Sequence, residues 1–267
     1  MKTGITIESA FTEAAGARKK AFIPFITCGD PDLATTKEVV RACVEAGADL
    51  VELGIPFSDP TAEGPVIMEA DNRALSGGTT TDAVFEMTKQ LREEGIEVPF
   101  VYMTYANVVY SYGMERFCEK AAGAGVQGMI LPDVPFEEKD EFAPVLERYG
   151  LTLVSMIAPT SENRIAAIAK EAKGFLYMVS SLGVTGVRSS ITTDIGKMTE
   201  LVRESTQIPC AVGFGISNPE QAAKMAALSD GAIVGSAIVR IIAEHGREAA
   251  GPVGAYVRAM AEAVHGA

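Results

Sequence analysis

Eight short apolar runs, each followed by a longer amphipathic stretch, constrain this 267-residue chain more than any other feature. The runs are Ala21–Cys28, Leu50–Ile55, Phe100–Tyr105, Gly128–Pro132, Thr152–Ala158, Phe175–Ser180, Cys210–Phe214 and Ala232–Gly235. They are nearly continuous rather than alternating, as expected of strands buried on both faces of a parallel sheet. Helical spacing is read over Asp32–Ala46, Val66–Leu75, Thr81–Glu94, Met114–Ala124, Glu137–Arg148, Ser161–Lys173, Thr193–Glu204, Pro219–Leu228 and Gly251–Val264. Asp30-Pro31-Asp32 and Ser217-Asn218-Pro219-Glu220 read as helix starts, and Gly47 and Gly150 as stops. Eight regular βα units favour a closed (β/α)8 TIM barrel over an open doubly wound sheet, with residues 1–267 as a single domain. Met1–Lys19 reads as an extra amphipathic helix capping the barrel bottom.

Charge and composition exclude several classes. The net charge of -12 disfavours nucleic acid as a partner, since phosphate backbones need a basic footprint. A small anionic substrate stays open, because backbone N–H groups and helix dipoles bind phosphate without net positive charge. The chain lacks a run long and apolar enough for a membrane span and a signal-type N-terminus, so a cytoplasmic location is expected. Cys28, Cys43, Cys118 and Cys210 are scattered and read as buried thiols rather than zinc ligands. The two histidines, His245 and His265, lie near the C-terminus, leaving acid–base chemistry to carboxylates, Tyr or Lys.

Barrel chemistry gathers at the C-terminal ends of the strands. No lysine stands at those ends, which disfavours a Schiff-base aldolase, and no metal-ligand spacing occurs there. Glu52 is the sharpest residue, a carboxylate inside an apolar strand, costly there unless hydrogen-bonded or functional. Desolvation would raise its pKa and suit it to proton donation; a strand-end Glu paired with a base is the alternative. Glu63 and Asp59 follow in a turn-rich loop, where a helix-start acid and a turn former are the plainer readings. Gly213–Ser217 and Val234-Gly235-Ser236 close the seventh and eighth runs, where barrels bind phosphate, and Gly183–Gly186 adds a third glycine loop. Phe22, Tyr102, Met103, Ile130, Ile157 and Phe214 are candidates for an apolar pocket, or plain core.

Phe22 to Pro31 and Glu52 to Glu63 resemble the opening strand and the active-site signature of tryptophan synthase α chains. The resemblance continues in order through Tyr105-Ala106-Asn107, Pro132-Asp133-Val134-Pro135, Gly183–Gly186, Gly213–Ser217 and Gly235–Val239. It implies cleavage of indole-3-glycerol phosphate to indole and glyceraldehyde 3-phosphate. By resemblance, Glu52 handles the proton at indole C3, and Glu63 accepts from the indole N–H. Tyr177 matches an active-site tyrosine, and Thr185 a threonine bonded to the second carboxylate. Gly186, Gly215, Gly235 and Ser236 match phosphate-binding positions, while Phe22, Met103, Ile130, Phe214 and Ile233 fall at or near the indole pocket. The resemblance also implies no cofactor and no metal in this chain. It implies instead a β-chain partner carrying pyridoxal phosphate, an α2β2 heterotetramer, and an interface near Pro56, Asp59 and Pro135.

The chain departs from the family pattern at Glu63, where Asp is usual, and at Thr61 and Met68. An extra methylene moves a carboxylate by roughly 1 Å, enough to cost rate in a tight site. A compensated enzyme, a weak enzyme and a non-catalytic activator of a β chain all remain open. A related barrel such as indole-3-glycerol phosphate synthase is disfavoured, because its chemistry uses a strand-end lysine.

Overall fold

The computed structural model describes residues 5–16, 19–159, 162–180, 195–213 and 215–267, the side chains of residues 13 and 15 excepted. The strands are β1 (Ala21–Thr27), β2 (Val51–Gly54), β3 (Phe100–Met103), β4 (Gly128–Ile130), β5 (Thr152–Leu153), β6 (Ser155–Ile157), β7 (Leu176–Val179), β8 (Cys210–Gly213) and β9 (Gly231–Val234). The helices are α1 (Ile7–Gly16), α2 (Leu33–Glu45), α3 (Pro65–Ser76), α4 (Thr81–Glu93), α5 (Ala106–Tyr112), α6 (Met114–Gly123), α7 (Ala143–Arg148), α8 (Glu162–Glu171), α9 (Ile195–Ser205), α10 (Pro219–Ala227), α11 (Ser236–His245) and α12 (Ala250–His265).

One parallel sheet runs in the order β5, β4, β3, β2, β1, β9, β8, β7, β6. β5 and β6 are two halves of the predicted Thr152–Ala158 strand, divided at Val154. The first half pairs with β4 and the second with β7, and the Val154 N–H donates to Met129 O at 2.9 Å. That run therefore closes the sheet into a barrel, and the eight expected strands carry nine labels. The TIM barrel expected from the apolar runs is the observed fold.

Alternation along each strand separates two cores. Ile23, Phe25, Val101, Met103, Ile130, Tyr177, Ala211 and Ile233 fill the barrel interior. Phe22, Ile26, Val51, Leu53, Tyr102, Met129 and Met178 pack outward against the helices. Glu52 lies between the outward Val51 and Leu53, which turns it inward.

Helix α1 seals the lower end. Ile7, Ala10, Phe11 and Ala14 are buried in the interior cluster, and the Phe11 and Phe175 rings sit 5.4 Å apart. A Cβ added to Gly128 would meet Ile7 Cδ1 at 2.8 Å, so the strand start is bare where the helix presses. Burying Ile7 and Phe11 contributes roughly 1.5–3 kcal/mol each.

The predicted helix starts hold: Asp32 accepts the Thr35 N–H at 2.8 Å, and Asn218 accepts from Gln221 at 2.9 Å ahead of Pro219. Gly47 and Gly150 take positive φ of 105° and 72° at helix ends. The predicted Glu137–Arg148 helix is instead a 3-10 turn, Phe136–Glu141, followed by the short α7. Pro144 breaks it, since a proline cannot continue the preceding turn. Helices α5 and α11 were not expected. Among the described residues no helix is long and apolar enough to cross a membrane.

Candidate active site

The candidate site lies at the C-terminal ends of the strands, where barrels carry their chemistry. Glu52 stands there on β2, in register with Phe25 of β1 and Val101 of β3. It is 1% exposed, and among the described residues neither carboxylate oxygen has a hydrogen-bond partner. Burial pushes its carboxyl up to about 8, and the neighbouring Glu63 charge adds to the shift. A lone buried carboxyl that keeps its proton near neutral pH is a general acid in waiting.

Glu63 lies at the end of the loop after β2, immediately before Gly64, the N-cap of α3. It is 5% exposed and accepts a hydrogen bond from the Tyr105 hydroxyl. Burial raises its carboxyl to about 7, opposed by the Tyr105 bond and its own backbone N–H, with Asp133 pushing upward. Tyr105 is itself held well above the usual phenol range by burial and by Glu63, so it stays a donor. Its oxygen also accepts the Ala62 N–H at 3.0 Å.

Tyr177 on β7 faces the same space, its phenol raised by burial and by the charges of Glu52 and Glu63. A Cβ on Gly213 would come within 2.5 Å of the Tyr177 hydroxyl, so β8 is bare where that ring lies. Beyond the ends of β8 and β9, Gly215 takes a φ of 79°, and Gly235 caps α11. Ser236 opens α11, whose first turn holds no acidic residue. Free N–H groups at such a helix start, with the helix dipole behind them, suit an anion.

Comparison with known proteins decides the family. A sequence model described as "Tryptophan synthase alpha chain" matches residues 11–265. The tryptophan synthase α chain of Lactiplantibacillus plantarum is 48% identical over 248 residues, covering 92% of this chain and 93% of that one. That of Caldanaerobacter subterraneus subsp. tengcongensis is 47% identical over 238 residues, covering 89% and 90%. The chain belongs to the tryptophan synthase α-chain family. The crystal structure of the Legionella pneumophila α chain superposes with a TM-score of 0.87 at 36% identity, covering 97% of this chain and 96% of that one. A Mycobacterium tuberculosis tryptophan synthase structure gives 0.88 at 31% identity, covering 98% and 99%. An α-like activator without catalysis finds no support in these matches.

Of the residues expected in this α-chain family site, Glu52, Glu63, Tyr177, Met103, Ile130, Ile233, Gly215, Gly235 and Ser236 fall on the interior or at its mouth. Thr185, Gly186 and Phe214 lie outside the described residues. Phe22 requires correction: it packs in the outer layer against the helices. Phe25, three residues on, takes the interior place instead, because an odd step along a strand changes face. Its ring lies over Gly54, where a Cβ would meet Cζ at 2.6 Å, and against Gly235, where a Cβ would meet Phe25 Cβ at 3.3 Å. Ile157 and Tyr102 also pack outward. At the expected β-chain face Asp59 and Pro135 are exposed, whereas Pro56 is buried.

Two participants went unrecognised in the sequence. Tyr105 was visible at a strand end, but its hold on Glu63 depends on a 42-residue separation closing in space. Asp71 sits on the buried stripe of α3 with Ile67, Ala70 and Ala74. Burial, then Glu63, raise it to about 8, while the Phe57 backbone N–H bonded to it pulls the other way. A charge on an apolar helical stripe was the available signal.

Proposed function

We propose that Glu52 and Glu63 carry out the family's reaction, retro-aldol cleavage of indole-3-glycerol phosphate to indole and glyceraldehyde 3-phosphate. Glu52 protonates indole C3, which makes the ring a leaving group. The hydroxyl proton on the adjacent carbon then passes to the Glu52 carboxylate that the first step leaves, the electrons of its O–H bond form the aldehyde carbonyl, and the carbon–carbon bond breaks with its electrons returning to the ring. Glu63, oriented by Tyr105, accepts from the indole N–H and stabilises the positive charge that C3 protonation creates. Met103, Ile130, Ile233 and Phe25 enclose the ring, Tyr177 lies beside the two acids, and Gly215, Gly235 and Ser236 receive the phosphate. Thr185, Gly186 and Phe214 complete that set by resemblance.

The observation that carries this reading is Glu52, buried, inward-facing and without a hydrogen-bond partner among the described residues, beside a second raised carboxyl. Residues 1–267 act as one domain in the cytoplasm. The partner is a β chain holding pyridoxal phosphate, docked near Asp59 and Pro135 in an α2β2 assembly that takes up the indole. The test is indole release from indole-3-glycerol phosphate by the purified chain, alone and with a β chain. Turnover unchanged in Glu52→Gln would overturn the assignment.

A further inference from the structure

Three residues hold the buried side-chain oxygens that lack a hydrogen-bond partner among the described residues: Thr27, Glu52 and Thr104. Thr104 follows the inward Met103 and so falls on the outer side with Tyr102. Thr27 stands two residues beyond Phe25 on β1 and shares its inward face. It is 1% exposed, and at its register partner on β2, Gly54, the place of a side chain is taken by the Phe25 ring, which offers no hydrogen-bond partner. An unsatisfied buried hydroxyl is costly unless something else engages it.

Its place among the strands says what that is. β1 lies between β2, which carries Glu52, and β9, which leads into Gly235 and the start of α11. A substrate with its ring at Glu52 and its phosphate at α11 must pass its connecting chain over the end of β1. In the proposed substrate that chain is a polyol. Resting on the assignment of Glu52 and of the α11 phosphate site, we propose that Thr27 is a substrate-binding residue whose hydroxyl exchanges a hydrogen bond with a hydroxyl of the linker between ring and phosphate. It contributes affinity and fixes the linker so that the reacting carbon lies beside Glu52.

The test measures binding by calorimetry in the Glu52→Gln protein, which holds substrate uncleaved, against an analogue lacking the linker hydroxyls. Thr27→Val, similar in size but without the hydroxyl, weakens the intact substrate about tenfold and leaves the analogue unchanged. Thr27→Ser restores substrate affinity to within about twofold. Equal weakening of both ligands, or no weakening of the substrate, overturns the proposal. Indole release by Glu52→Gln alone counts against the Glu52 assignment instead, and the Thr27 comparison is then read from KM of the same variants.

Discussion

The Tyr105 hydroxyl donates to the Glu63 carboxylate while its oxygen accepts the Ala62 N–H, so one side chain holds both the second acid and the backbone beside it. Tyr105→Phe removes both contacts. The bond favours the charged form of Glu63, so its loss raises that pKa further and leaves less carboxylate at neutral pH. The acid limb of the rate profile moves to higher pH, and stability falls by about 1–2 kcal/mol. Steady-state indole release across pH, with thermal melts, checks both.

The same contact sets the expectation for Glu63→Asp. Shortening the side chain withdraws the carboxylate by roughly 1 Å from Tyr105, and indole release falls between about tenfold and a hundredfold. A rate gain would show that glutamate at this position is a defect rather than a compensated choice.

The two raised carboxyls predict a narrow pH optimum. Glu52 must be protonated and Glu63 ionised, and they rise to about 8 and about 7. Activity is lost below the lower value and above the upper one, as a bell whose limbs belong to the pair. A rate flat from pH 5 to 10 would contradict the arrangement.

Asp71→Asn separates stability from catalysis. The folded pKa of about 8 exceeds the ordinary 3.8, so the native state binds the extra proton and stability declines as pH rises between those values. An amide keeps an acceptor for the Phe57 N–H without the charge. The variant therefore gains on the order of 2 kcal/mol near pH 9 and nothing below pH 4. Urea melts at both pH values measure the difference.

Gly213→Ala puts a methyl 2.5 Å from the Tyr177 hydroxyl. The ring must shift toward the acids, costing about 1–3 kcal/mol of stability and most of the indole release. Gly246→Ala, with nothing within 4 Å of the added methyl but a φ of 55°, costs stability through backbone strain alone and leaves turnover intact.

Much of this was legible in the chain itself. The apolar runs marked every strand, because strands covered on both faces admit little else, and Glu52 stood out as the exception within one. Face assignment was less legible. Phe22 and Phe25 both sit in one apolar run, and such a run hides its phase, since inward and outward positions are equally hydrophobic. Helix α11 escaped notice because its buried Ile238, Val239 and Ile242 follow directly on the apolar β9. The Tyr105–Glu63 and Asp71–Phe57 contacts join segments that only the closed barrel brings together.

The seal that α1 forms across the strand starts makes this barrel a blind-ended vessel. Among the described residues, Ile7 and Phe11 fill the space at its base that a passage would need. Whatever enters between Glu52 and α11 leaves by the way it came, toward the rim bearing Asp59 and Pro135. A protein seated on that rim would stand over that mouth.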